Sequence, residues 1–177
     1  MTPDLHQNHF ELFSLPVQYA INMEALDQNY RKLQSEVHPD RFAAAPSTDR
    51  MRSLQLATLA NEAYRTLKNP TARARYLLHI NGIDTQEESN TAMPPDFLMM
   101  QMEWREAIDD ARADGDIKAL EMLLKKMQQE AKGLQENLRA ALDDNKQLSE
   151  AAEAVRKLSF IDKVRGDIEQ TIIKLED

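Results

Sequence analysis

From Ile117 to Ala141 the apolar residues fall at Ile117, Leu120, Leu124, Met127, Ala131, Leu134, Leu138 and Ala141, an alternation of three and four sustained for nearly four heptads. Such a row makes one side of a helix into a continuous seam, and other helices must pack along it to keep it from water. A second row follows at Val155, Leu158, Ile161, Val164, Ile168, Ile172 and Leu175. The rest of the composition agrees. The 177 residues include 4 glycines and 7 prolines, and the chain is rich in Leu, Ala, Met, Glu, Gln, Lys and Arg, whose side chains lose little freedom in a helix. An all-α protein is expected, with no strand.

Two units fit this length. In the first, a short helix around Phe10, Leu12 and Phe13 stops at Leu15-Pro16, because the residue before a proline avoids the α region. A second helix starts from Asn22 as its cap, buries Leu26, Tyr30, Leu33 and Val37, and ends at Pro39. A third, over 48–68, carries Leu56, Ala60, Ala63 and Leu67, and a fourth, capped by Thr71, runs to Asn81-Gly82. Residues 83–95 offer little to bury and are expected to be the linker between units at 1–82 and 96–177. Beyond it, Asp96 is expected to cap a fifth helix reaching about Ala113, and Asp114-Gly115-Asp116 to form the turn into the long seam. Helices five to seven then make an antiparallel three-helix bundle.

Several function classes fall away. With no cysteine the chain has no disulfide framework and no thiolate metal site. His6 and His9 have no supporting ligands nearby, so no metal and no cofactor is expected. The charge is uneven, with 9 Lys/Arg against 8 Asp/Glu in residues 1–81 and 13 against 22 in residues 82–177. An acidic chain without a basic stripe is a poor nucleic-acid binder, since phosphate neutralisation supplies most of that affinity. No apolar run approaches the roughly 20 residues of a membrane span, and the opening Met1-Thr2-Pro3-Asp4 lacks a basic, apolar leader, so a cytoplasmic location is expected.

The sharpest motif is His38-Pro39-Asp40, placed in the turn between two helices of matching length. The proline fixes the backbone, and an exposed Asp40 carboxylate suits bidentate pairing with an arginine on a partner. Arg31 and Lys32 on the preceding helix, with Arg41 after the loop, add a modest positive patch. A hydrolase built on His38 and Asp40 lacks the nucleophile or metal set such chemistry demands. Tyr30-Arg31-Lys32-Leu33 before the motif, Arg41-Phe42 after it, and Asn61-Glu62-Ala63-Tyr64 with Leu67, Pro70, Arg73 and Tyr76 downstream resemble the J-domain family. That resemblance implies an antiparallel helical hairpin whose loop, through His38, Pro39, Asp40, Arg31, Lys32 and Arg41, docks on a DnaK-class chaperone and promotes ATP hydrolysis. The sequence departs from many J-domains at Glu36, where a lysine is common.

A second surface shows in Phe97-Leu98-Met99-Met100-Gln101-Met102-Glu103-Trp104-Arg105-Glu106. At about 100° per residue, Phe97, Met100, Trp104 and Ile108 share one face, while Leu98, Met99 and Met102 lie on another with Glu103 and Glu106. One face suffices for a bundle core, so the other is left as a flexible apolar patch edged by acids. Phe160 falls off the last helix's apolar row. An amino-terminal J-domain, an acidic bundle opened by Phe97-Leu98-Met99, and Val155-Arg156-Lys157-Leu158-Ser159-Phe160-Ile161-Asp162-Lys163 in its last helix together resemble the HscB family over nearly the whole chain. The resemblance implies a co-chaperone, not an enzyme, that activates the chaperone HscA and delivers the iron–sulfur scaffold IscU. Positions Leu98, Met99, Met102, Glu103, Glu106 and Phe160 would bind the scaffold; Met102 stands where leucine is frequent. A general helical adaptor with a different client is the alternative reading.

Overall fold

The computed structural model describes residues 3–177; the Met1-Thr2 part of the opening motif lies outside them. Among the described residues there are helices and connecting turns but no strand. The chain divides into two compact units, Met1–Ile80 and Asn81–Asp177.

In the first unit the helices are α1 (His9–Leu12), α2 (Met23–Val37), α3 (Ser47–Lys68) and α4 (Pro70–Ile80), with a 3-10 turn at Pro39–Phe42. Asn22 caps α2 by accepting from the Ala25 N–H at 3.1 Å, as its side chain suggested. The α4 cap differs from expectation. Pro70 occupies the first helical position, Asn69 accepts from the Ala72 N–H at 3.0 Å, and Thr71 is buried instead of capping. Likewise α1 ends at Leu12, four residues before Pro16, and Ser14 turns the backbone at φ 54°.

Helices α2 and α3 run antiparallel, and cross-links along their length fix the register. Asp27 accepts from the Tyr64 hydroxyl and from Lys68 Nζ, both at 2.7 Å; Tyr30 donates to Asn61 at 2.6 Å and stacks on Tyr64 at 4.0 Å. The hydrogen bonds from Lys68 and then Tyr64 hold the Asp27 carboxyl below its usual range. Between the helices Leu26, Leu33, Val37, Leu56, Ala60, Ala63 and Leu67 are buried, and the small alanines allow close approach; Tyr30 is half-buried because its hydroxyl reaches out to Asn61. The buried Arg73 closes the far end, donating to the Leu67 carbonyl at 2.8 Å across the Tyr19 ring.

The second unit holds α5 (Pro95–Asp114), α6 (Ile117–Arg139) and α7 (Leu148–Glu176). Pro94, not Asp96, is the α5 cap residue, and Asp96 sits in the first turn, where its charge still favours the helix dipole. Gly115 takes φ 64° to end α5, and Asp116 caps α6 by accepting from Ala119 N–H at 3.0 Å. The α6 seam is buried at Leu120, Met127, Ala131, Leu134, Leu138 and Ala141, and α7 meets it with Val155, Leu158, Ile161 and Ile168. Helix α6 widens into a π turn over Ala140–Asp144, which lets the consecutive Ala141 and Leu142 both face inward. Arg139 braces this turn between Glu136 and Asp144, each at 2.9 Å.

The segment before α5 is more tightly held than its composition suggests. Thr85 is buried, its carbonyl accepts from Arg156 at 3.2 Å, and the Glu87 carboxylate takes a short hydrogen bond from Ser159, both partners lying on α7.

His9 supplies a pH test. It stacks on Tyr76 with centroids 4.1 Å apart, and burial lowers its pKa from the ordinary 6.5 despite the opposing charge of Glu62. The unfolded chain therefore takes up this proton at higher pH than the folded one, so stability is intact above about 6.5 and falls as pH drops below it. Urea denaturation of the first unit's tertiary signal at pH 7.5 and 5.5 is expected to show that loss, and His9→Gln to reduce the difference between the two pH values.

Candidate functional site

Two surfaces gather the residues singled out by the sequence. The first is the α2–α3 turn. Helix α2 ends at Val37 because Pro39 cannot continue it, and His38 takes ψ 131° to leave the helix. Pro39–Phe42 form one 3-10 turn, in which the His38 carbonyl accepts from the Arg41 N–H at 3.0 Å. His38 Nδ1 accepts from the Asp40 N–H at 3.2 Å. The same ring nitrogen lies 3.6 Å from the Asp40 carboxylate, and Asp40, 93% exposed, presents that carboxylate to a cationic partner.

The turn is held from beneath by contacts the motif did not reveal. The Ser53 hydroxyl, 2% exposed on α3, donates to the Val37 carbonyl at 2.6 Å. Arg41, expected only as a surface charge, donates to the Ser35 carbonyl at 3.2 Å, so it also closes the end of α2. Ser53 carried no signal beyond being a polar residue one turn before Leu56 on the buried stripe. Arg31 and Lys32 are exposed on α2, as is Glu36.

The second surface lies on α5. Phe97, Trp104, Ile108 and Ala111 are buried, whereas Leu98, Met99 and Met102 are 43%, 63% and 70% exposed, and Glu103 and Glu106 are exposed as well. Leu98, Met102 and Glu106 follow one another at i, i+4 and i+8, with Met99 one turn from both Met102 and Glu103. Phe160 differs from the others. It is half-buried on α7, stacked on Trp104 at 6.4 Å and edge-on to Phe97 at 6.0 Å. Both of its aromatic partners are thus buried.

The profile described as the HSCB C-terminal oligomerisation domain matches residues 93–169. The chain is 49% identical over 173 residues to the co-chaperone protein HscB homolog of Paraburkholderia xenovorans (strain LB400), covering 98% of each. Two solved structures share the whole fold. Chaperone HscB from Vibrio cholerae superposes with a TM-score of 0.83 at 36% identity, over 96% of this chain and 99% of its own. Human co-chaperone protein HscB does so with 0.88 at 27% identity, over 96% and 84%.

The geometry separates supporting residues from presented ones. Ser53→Ala leaves a buried carbonyl without its donor and is expected to cost about 1–3 kcal/mol, while Trp104→Ala is expected to cost about 3–5 kcal/mol. Leu98→Ala, Met99→Ala and Met102→Ala should each stay within about 0.5 kcal/mol of the parent. Urea midpoints of the five variants check all of this at once.

Proposed function

Because this chain belongs to the HscB family of co-chaperones, with an amino-terminal J-domain and a carboxy-terminal helical bundle, we propose that its two surfaces divide the family's work between them. The J-domain loop stimulates the ATPase of a specialised DnaK-class chaperone of the HscA type. The α5 face, with Phe160, carries an iron–sulfur scaffold of the IscU type to that chaperone. On this reading residues 1–82 activate, 83–95 connect and 96–177 hold the client. The protein acts on others without chemistry of its own, in the cytoplasm; among the described residues no helix is long and apolar enough to cross a membrane.

The observation that carries the first half is the braced, outward-facing Asp40. A carboxylate that is 93% exposed on a backbone fixed by Pro39, Ser53 and Arg41 presents a preorganised acceptor pair, so little conformational entropy is lost when an arginine of the chaperone engages it. His38, Arg31 and Lys32 extend the same face. For the second half the support is the contrast along α5, where three large apolar side chains stand in water beside two acids while the opposite face packs. Exposed methionines adapt to a partner's shape at low cost, and a burial that desolvates a central apolar cluster supplies most of the energy of a docking surface.

Two measurements test the division. Asp40→Asn keeps the fold and should abolish stimulated phosphate release by the HscA-type chaperone; a folded variant that still stimulated fully would remove the loop from the mechanism. The triple change Leu98→Ala, Met99→Ala and Met102→Ala should weaken a micromolar scaffold complex by about a hundredfold or more in calorimetric titration, while the scaffold-independent stimulation stays. Phe160 is left out of this set because its removal would also disturb Trp104 and Phe97. Undiminished scaffold binding by the triple variant would refute the α5 assignment.

A further inference from the structure

Residues 83–95 have the composition of a free tether, but from Asp84 to Ala92 the chain is folded on itself and fastened to α7. The Asp84 carboxylate accepts from the Gln86 N–H at 2.9 Å. Gln86 takes φ 52°, its carbonyl accepts from the Asn90 N–H at 2.7 Å, and the Asn90 side chain accepts from the Ala92 N–H at 3.1 Å. Glu87 ties this fold down. One of its carboxylate oxygens accepts from the Thr85 hydroxyl at 2.7 Å and the other from the Ser159 hydroxyl on α7. Arg156, nearly one turn before Ser159, donates to the Thr85 carbonyl at 3.2 Å. All of these contacts lie inside the second unit.

The fastening is polar. Between residues 81 and 92 only Thr85 is buried, and Ile83 is half-buried. Hydrogen bonds of this kind exchange for water when a segment lifts, and segments with few apolar contacts open first. The Arg156 Nε is buried without a hydrogen-bond partner among the described residues, and lifting the segment gives that group to water. What changes on opening is chain length. Closed, the 4 residues 81–84 join α4 to the first held position, a reach of at most about 14 Å. Open, the 14 residues 81–94 join α4 to α5 and span about 20 Å on average as a flexible coil.

We propose that Thr85, Glu87, Arg156 and Ser159 form a clasp that sets how closely the two units are tethered, and thereby couples client delivery to chaperone activation. This rests on the reading that the J-domain loop and the α5 face engage one assembly of chaperone and scaffold. The two contacts then make a bivalent engagement, and the second forms at an effective concentration that falls with the power of about minus three-halves of tether length. Opening the clasp lowers it about sixfold. Neither Asp40 nor Leu98, Met99 and Met102 takes part in the clasp, so each surface keeps its own affinity while their joint action weakens.

The test compares the full chain with Ser159→Ala, Glu87→Ala and the double variant Glu87→Ala, Arg156→Ala. Hydrogen exchange read by mass spectrometry is expected to quicken about tenfold over residues 85–92 in the double variant, with α5, α6 and α7 protected as in the parent. With the HscA-type chaperone and saturating IscU-type scaffold, its concentration for half-maximal phosphate release should rise about sixfold, and less in the single variants. Stimulation without scaffold and calorimetric affinity for scaffold should stay parental. Unchanged exchange over 85–92 overturns the clasp. Fast exchange with an unchanged half-maximal concentration overturns the coupling, and so does a loss of scaffold affinity, which would make these residues supports of Phe160. Ser159→Ala, a small change inside a helix, carries the test if the double variant does not fold. If Asp40→Asn and the triple alanine variant both keep full activity, the two-surface reading falls, and exchange over 85–92 still decides the clasp.

Discussion

A buried hydroxyl on one helix holds the end of another. When α2 stops before Pro39 its last carbonyls lose their helical donors, and a loose end there would let the following turn wander. Ser53 takes the Val37 carbonyl and Arg41 takes that of Ser35, so the turn inherits the rigidity of α3. The antiparallel register that brings Ser53 opposite Val37 is set further along by Asp27 with Tyr64 and Lys68, and by Tyr30 with Asn61. Exposure of Asp40 is therefore a product of what is buried below it.

The second unit solves the opposite problem. Helix α5 needs only one face to join the bundle, and the aromatic group of Phe97, Trp104 and Phe160 secures that face to α7. The other face stays apolar, with Leu98, Met99 and Met102 exposed. Such a surface is maintained against the ordinary tendency of exposed positions to be polar, which is why it reads as an interface.

Helix number, most of the two long seams and the position of the turn motif were legible because periodicity and proline act locally, although Leu123 is buried where Leu124 was expected and Leu175, expected in the α7 row, is exposed. Side-chain caps were legible where Asn22 stood alone, and misread where two candidates adjoined, as at Asn69 and Thr71, since only packing decides which residue is drawn inward. Periodicity also separated the two faces of α5. Phe160 was placed off the α7 row correctly, yet its contact with Trp104 depends on how two helices distant in sequence approach, which no local pattern records. Ser53 and the inward turn of Thr85 were hidden for the same reason: each is a polar side chain whose partner lies at a distance along the chain.

Thr85 and Glu87 change where the second unit begins as a physical object. Their grip on Arg156 and Ser159 reaches α7 directly beside Phe160. A fragment cut at residue 96, where composition suggests the bundle starts, would strip these partners from that part of α7 and leave Ser159 and Arg156 to water. Cut ahead of residue 84, the same fragment keeps its own stopper, so the smallest piece of this chain that can stand for its second unit is longer than its three helices.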